Sequence, residues 1–314
     1  MPLMDGVLII DKPAGMTSHD VVARVRRIID QRRIGHTGTL DPFATGVLVL
    51  LVGRATRIAQ FLSGAEKEYE GIIRLGYATD TGDITGNRLN SLATETQSHR
   101  DFEKEEIESA MSSLRGEIEQ IPPMYSAKKI AGRKLYEHAR RGEEVARQPV
   151  GVTIHEFASL APDEGFLVND DGSLDIRVRV VCSAGTYIRT LAEDLGRKLG
   201  MGAHLIELRR TRAGRFGINA ALTLGRLAEA CERNSISDAL ISPHQALSDL
   251  PVIELGEDEL RRTLHGLDLA MDETDQQLDE GAPIRLSKRG ELIAIGKFDR
   301  ERRVVHPAVV VGHS

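Results

Sequence analysis

The chain has no tryptophan, only two cysteines in 314 residues, and aromatic side chains at just 4% of its positions. Cys182 and Cys231 lie far apart, without the paired spacing of a zinc site or redox motif. That usage suits a reducing cytoplasm, and disulfides are not expected. Long apolar runs are missing too. Nothing approaches the ~20 residues that cross a bilayer, and Met1 to Gly6 lacks the charged and apolar regions of a signal peptide, so a cytoplasmic protein with no membrane partner is expected. The ten histidines are scattered with no His-Glu-x-x-His, which argues against zinc. Gly35-His36-Thr37-Gly38-Thr39 lacks the Gly-Lys-Ser/Thr ending of a triphosphate loop, and no dinucleotide glycine fingerprint occurs. No cofactor is expected.

What remains is ample for a core. With 41% hydrophobic and 28% charged residues, 314 positions suffice for two domains. The formal net charge of −6 argues against a nucleic-acid partner only on average. Residues 24 to 57 carry a net +5, residues 197 to 215 another +5 and residues 128 to 147 a net +4, whereas residues 254 to 280 carry −8. Each basic run could be a solvated helix face. Three of them around one region favour a phosphate-rich partner, because Lys and Arg that neutralise phosphates release counterions.

Hydrophobic spacing gives strands and helices without the regular beat of a βαβ array. Val7 to Ile10 reads as a buried strand, followed by a turn at Lys12-Pro13-Ala14-Gly15. Ser18 is expected to cap a helix over residues 19 to 30, with Val21, Val22, Val25, Ile28 and Ile29 on its apolar face. Val47 to Val52 reads as a strand buried on both faces and Tyr69 to Leu75 as another strand. Leu174 to Cys182 alternates with period two, and Gly185 to Leu199 reads as a turn feeding a helix. Ile121 to Val150 opens on Pro122-Pro123, carries a basic helix-like stretch at Leu135 to Arg141, and reads as an insertion. After about residue 248 an acidic stretch leads to short strands near Pro283 to Leu286, Leu292 to Phe298 and Val304 to Val311, a small β-rich module. The expected domains are 1–248 and 249–314.

One segment stands apart. Residues 35 to 48 set a single carboxylate, Asp41, between a glycine-rich turn and an apolar strand. Small residues let the backbone approach a large partner, and a functional residue in such a loop is held by the scaffold around it. Taken alone, Asp before Pro reads first as a plain helix start, with Asp as the N-cap.

Four segments resemble one family, the bacterial TruB tRNA pseudouridine synthases. They are Gly6 to Pro13 with Gly15-Met16-Thr17-Ser18; Gly35 to Pro42 with Ala44-Thr45-Gly46; Ile121 to Ala127 through Lys134-Leu135-Tyr136; and Gly185 to Thr190 with Gly202-Ala203-His204. The resemblance implies an α+β pseudouridine synthase fold with a mixed, largely antiparallel sheet, a basic RNA-clamping insertion and a C-terminal PUA-like β module. It implies isomerisation of uridine 55 in the tRNA T loop: the bond from N1 to ribose breaks, the uracil turns, and a carbon–carbon bond forms at C5. Asp41 matches the family's catalytic aspartate, which must be ionised to act on uracil C6, on ribose C1′ or on a ribose proton. Arg189 matches the arginine that holds that carboxylate charged, and Tyr69 the tyrosine against the target uracil. Tyr187 and Leu208 match pocket residues, and His36 the histidine that fills the space left by the flipped base. Lys12 is expected to brace the catalytic loop or contact phosphate. The partner implied is tRNA, with no obligatory protein partner. An RNA-guided relative of the family and a non-catalytic RNA-binding protein are the alternatives.

Overall fold

The computed structural model describes residues 4–89, 104–126, 129–130, 133–135, 138, 141, 143, 145–160, 166–271 and 278–312. Seven strands form the body of the main sheet: β1 (Gly6–Lys12), β2 (Thr45–Val52), β3 (Lys67–Leu75), β4 (Gly116–Gln120), β5 (Val150–Ser159), β6 (Leu174–Cys182) and β7 (Ala203–Ala213). They lie side by side in the order β1-β2-β7-β3-β6-β5-β4. Each neighbouring pair is antiparallel except β2 and β7, which run parallel where Thr45 faces Arg209 and Gly46 faces Arg210. The sheet is therefore mixed and largely antiparallel, as the resemblance implied.

Strand β2 is buried on both faces because two separate cores flank it. Leu48, Leu50 and Val52 pack with Leu8 and Ile10 against helix α1 (Ser18–Ile28), while Val47, Val49 and Leu51 pack with Val7 and Ile9 against Ala55, Phe216 and Ala246. The uninterrupted apolar run in the sequence is the signature of that double burial. A larger core covers one face of the central strands, where Ile107 and Met111 of helix α2 (Lys104–Ser112) and Leu191 and Leu195 of helix α3 (Ile188–Lys198) meet Ile73, Ile176, Val178 and Leu205.

Helix α1 starts one residue earlier than the sequence pattern suggests. Thr17, not Ser18, is its N-cap: the Thr17 hydroxyl accepts from the Asp20 amide, and the Asp20 carboxylate accepts from the Thr17 amide, a reciprocal capping box. Ser18 is thereby freed to point inward. Asp41 likewise caps no helix; its carbonyl accepts from the Ala44 amide in a turn.

A second sheet comprises β8 (Val252–Glu254), β9 (Leu269–Ala270), β10 (Pro283–Lys288), β11 (Glu291–Asp299) and β12 (Val304–Val310), in the order β8-β10-β11-β12-β9. The three strands read from the sequence are its centre. Leu292 and Ile295 of this sheet, with Val311 just after its last strand, pack on Ile58 and Leu247, and Arg54 and Arg57 donate to the carbonyls of Val311 and Val310 at 2.9 and 2.6 Å. In the insertion, Lys129–Ile130 pairs with Arg133–Lys134 as a short hairpin. The helix-like stretch at 135 to 141 lies largely outside the described residues.

Strands β2 and β7 meet so closely that a side chain between them has no room. Gly46 sits at φ +100°, and a Cβ there would lie 2.2 Å from the Arg210 carbonyl oxygen. Gly46→Ala is expected to destabilise the protein by at least about 2 kcal/mol, combining backbone strain with a forced separation of the strands. Urea unfolding measures this as a lowered midpoint at unchanged slope.

Candidate active site

Register alternation decides which side chains of the central strands share a face. Tyr69 lies opposite Arg210 on one side and Val180 on the other, and Lys67 opposite Cys182. Lys67, Tyr69, Leu208 and Arg210 consequently project to one face, where they line a cavity of about 280 Å³ with Asp41, Tyr187 and Arg189. That is slightly below the ~300 to 1,000 Å³ common for drug-sized ligands, a volume suited to a single base. The other face carries Glu68, Arg179, Arg209 and Arg212, held in ion pairs with one another, with Glu66 and with Asp11.

Asp41 reaches the cavity on the loop between the short strand Ile34–His36 and β2. Three residues of the first sequence motif clamp that loop. Lys12 is fully buried and donates Nζ to the carbonyls of Pro13 and Pro42 at 2.8 and 3.2 Å. The Gly15 amide donates to the Pro42 carbonyl, and the Ser18 hydroxyl both donates to the Leu40 carbonyl and accepts from its amide. Burial lowers the Lys12 ammonium to about 8, against the raising influence of Asp41. Of the two roles expected for Lys12, this geometry fits the bracing one.

Arg189 comes from the first turn of α3 and is only 5% exposed. Its Nε and Nη2 meet Asp41 Oδ2 and Oδ1 at 3.0 and 3.1 Å, a two-pronged ion pair. Nη2 also donates to the Tyr125 carbonyl at 2.6 Å and Nη1 to the Thr81 carbonyl at 2.9 Å. A second carboxylate, Asp83, stands 3.5 Å from Nη1. Asp83 is itself buried and fixed by the Thr81 and Thr85 hydroxyls and the Thr85 amide. Burial, helped by the charge of Asp83, raises the Asp41 carboxyl above its ordinary 3.8 although Arg189 pulls the other way. The guanidinium thus serves two carboxylates at once.

The loop bearing Asp83 depends on the Gly202-Ala203-His204 segment. A Cβ on Gly202 would lie 2.2 Å from the Ala78 nitrogen, and His204 Nδ1 bonds the Tyr77 carbonyl at 3.0 Å while its ring packs on that of Tyr77. Sequence reasoning did not single out Asp83. Its neighbourhood, Thr79-Asp80-Thr81-Gly82-Asp83, reads as an ordinary polar turn, and only the approach of Arg189 distinguishes one Asp from the other.

Tyr69, 8% exposed, forms the wall beside Arg210, and burial raises its phenol above 10. That direction favours stacking over proton abstraction by an unassisted phenol. Tyr187 is the N-cap residue of α3, and its backbone exchanges two hydrogen bonds with the Gln120 side chain. Leu208 closes the far side. Of the seven residues expected at the site, five therefore line one cavity. Lys12 and His36 stand outside its lining. His36 ends the strand before the loop, edge-on to His19 with ring centres 5.5 Å apart.

The basic runs are less available than their sequence suggests. Arg209 pairs with Asp11 and Arg212 with Glu66 and Glu68, Arg210 is 2% exposed, and Arg54 pairs with Asp5. Arg24, Arg27 and Arg32 are exposed and make no ion pair among the described residues.

Residues 26–188 match the N-terminal domain of the TruB family pseudouridylate synthases, and residues 189–272 the tRNA pseudouridylate synthase B C-terminal domain. The tRNA pseudouridine synthase B of Geobacillus thermodenitrificans is 43% identical over 305 residues, covering 97% of this chain and 96% of that one. Its counterpart in Bacillus cytotoxicus is 44% identical over 264 residues, 84% of each chain. Among solved structures, a chain of an H/ACA RNP bound to a substrate RNA containing 2′-deoxyuridine is 26% identical at TM-score 0.70, covering 98% of this chain and 85% of that one. A Cbf5-Nop10-Gar1 complex gives 28% identity and TM-score 0.71, with coverage of 98% and 85%. The chain belongs to the TruB family of pseudouridylate synthases.

Proposed function

We propose that this protein, acting alone in the cytoplasm, isomerises uridine 55 of the tRNA T loop to pseudouridine. The observation that carries the reading is the two-pronged Asp41–Arg189 pair at a base-sized cavity walled by Tyr69. A T-loop uridine is stacked and paired, so it must be extruded at a cost of a few kcal/mol, and His36, next to the cavity's loop, fills the space it leaves. In the cavity the uracil stacks on Tyr69, with Tyr187 and Leu208 enclosing it. Arg189 orients the ionised Asp41 toward uracil C6, ribose C1′ or a ribose proton. By each route the N1–C1′ bond breaks with its electron pair left on the pyrimidine. The base turns and C5 bonds C1′ as Asp41 gives back what it took, its bond to C6 or C1′ breaking or the ribose proton returning; the C5 proton departs and N1 takes up a proton, so atoms and charge balance. Lys12, Gly15 and Ser18 keep the Asp41 loop rigid through these steps. Residues 121–150 clamp the RNA and residues 249–314 form a PUA-like RNA-binding module.

One comparison favours the stand-alone tRNA enzyme over an RNA-guided one: 43–44% identity to enzymes named for tRNA, against 26–28% to chains from H/ACA assemblies. The test is release of tritium from tRNA labelled at uridine C5 by the purified protein alone. Release that disappears when the target uridine is replaced supports the reading. Binding without release identifies a non-catalytic RNA-binding protein, and release that requires a guide RNA identifies the guided relative.

A charge effect follows as well. Despite the net −6, tRNA affinity should fall with salt, log Kd rising against log salt with a slope of about 3 or more, as expected when several phosphates are neutralised locally. Filter binding across a salt series measures this, and a flat dependence would place the RNA away from the basic surfaces.

A further inference from the structure

Two buried cations on the cavity face have no use in the scheme above. Lys67 is 8% exposed and Arg210 2% exposed, and both line the cavity with Asp41 and Tyr69. Lys67 donates Nζ to the carbonyls of Ser63, at 2.7 Å, and Ala65. Arg210 donates Nε to the Val47 carbonyl at 2.7 Å and Nη2 to the Gly38 carbonyl at 3.1 Å, and lies within hydrogen-bonding reach of the Tyr69 phenol. Among the described residues no carboxylate pairs with either. The contrast with the opposite face of the same strands is sharp, since Arg179, Arg209 and Arg212 all have carboxylate partners there.

An unpaired buried charge is costly, so two side by side need a reason. Burial and then Arg210 bring the Lys67 ammonium down to about 8, which still leaves it mostly protonated at neutral pH. The acids nearest to them are no remedy. Burial pushes the Cys182 thiol up to about 11 and raises the Tyr69 phenol, so neither is an anion. Asp41 is engaged by Arg189. The cavity therefore holds a standing positive field at its Tyr69 end and a negative one at Asp41.

From this juxtaposition we infer that Lys67 and Arg210 form an anion-stabilising wall for the pyrimidine ring once the glycosidic bond has broken. The inference rests on the isomerase reading above. Heterolysis leaves the electron pair on the pyrimidine, delocalised over N1 and the carbonyl oxygens, and by each route open to Asp41 the ring carries that charge until C5 bonds C1′. Fixed cations at the ring's end stabilise that charge without reorganising, and they let the ring turn while it remains an anion, because a field does not require one fixed hydrogen-bond partner. Formation of the C5–C1′ bond returns the electron pair to the ribose and discharges the ring, after which loss of the C5 proton is matched by uptake of one at N1. Arg210 also ties the Gly38 carbonyl and β2, so Lys67, whose bonds go only to the adjacent turn, is the cleaner residue to vary.

The experiment uses the full chain and two tRNAs, one with uridine and one with 5-fluorouridine at the target position. Single-turnover consumption of the N-glycosidic linkage is followed by nucleoside analysis, alongside tRNA affinity. Fluorine makes the departing pyrimidine anion intrinsically more stable and so less dependent on the protein. Lys67→Met should slow the uridine substrate by about 10²-fold, the usual scale for losing one preorganised electrostatic contact. The fluorinated substrate should slow by about 10-fold or less, and tRNA affinity should change less than about 3-fold. Lys67→Arg should recover most of the uridine rate. Equal slowing of both substrates, or no slowing, overturns the inference in favour of a structural lysine. Lys67→Gln, which keeps a donor to the Ser63 carbonyl, gives the same comparison should the Met variant fail to fold. If the wild type consumes neither tRNA, the isomerase reading itself falls, an outcome distinct from uniform slowing.

Discussion

Asp41→Asn is expected to reduce single-turnover pseudouridine formation by at least about 10⁴-fold while tRNA affinity changes less than about 3-fold, the signature of a group used in the transition state and not in ground-state binding. Asparagine keeps the shape and can still accept from Arg189, but it has neither the charge nor the nucleophilicity that any of the three routes requires. Its effect on folding should be small. Burial foremost raises the Asp41 carboxyl above 3.8, with Asp83 adding to the rise. A carboxyl whose folded value lies above its unfolded one supports the fold at low pH, and that support is lost as pH rises through the folded value. At neutral pH the ionised Asp41 is thus a burden on the native state, and its removal should leave stability within about 1 kcal/mol of wild type or above it, as is common where a site is strained for function. The same shift predicts the acid limb of the wild-type rate profile above the ordinary carboxylate range. Urea unfolding and C5 tritium release against pH measure both effects. A variant as active as wild type would remove Asp41 from the chemistry altogether.

How much of this was legible in the sequence depends on whether a residue's fate is decided locally. Strand β6 matches the run Leu174 to Cys182 end to end, because exposed and core positions alternate along it as far as Val180, beyond which Val181 and Cys182 are both buried. The double burial of β2 was equally plain from its apolar run. Fates decided by a distant partner were not. Arg209, Arg210 and Arg212 read as one basic patch, yet the pleat sends Arg210 into the cavity face and Arg209 to a carboxylate on the outer face, and a bulge between Arg210 and Arg212 turns Arg212 to that outer face as well. No apolar alternation marks that stretch, since the core side of β7 is itself charged there. Ser18 and Thr17 are both competent caps, and the choice between them turned on Leu40, 22 residues away from Ser18. Asp83 became visible only once the chain brought it to Arg189. The local pattern singled out Asp41, but only the family resemblance joined it to Arg189, 148 residues away.

Arg189→Met should be the most damaging substitution for folding and should also abolish turnover. Arg189 binds Asp41 through two nitrogens, approaches Asp83, and donates to the Thr81 and Tyr125 carbonyls, all while 5% exposed. Methionine fills a similar volume but leaves two carboxylates and two carbonyls around an apolar tip. Breaking one side of a buried ion pair typically costs about 3 to 5 kcal/mol because the abandoned charge stays buried. Here the loss should depend on pH with a definite sign. Without the guanidinium the two carboxylates cannot both ionise cheaply, so protonation relieves them. Asp41, already raised by burial and by the charge of Asp83, then loses its largest lowering influence, so the variant's deficit should be smaller in acid and grow toward neutral pH. Arg189→Lys should fall between wild type and Arg189→Met, since one ammonium cannot grip Asp41 at both oxygens and still reach Asp83 and the two carbonyls. Adding Asp83→Asn to Arg189→Met should recover part of the stability, because one of the stranded charges is gone, and none of the activity, because Asp41 remains unheld. Urea unfolding of the four proteins at low and neutral pH tests this. A deficit below about 1 kcal/mol that does not vary with pH would mean that the Asp41–Arg189–Asp83 contact contributes little to holding the site.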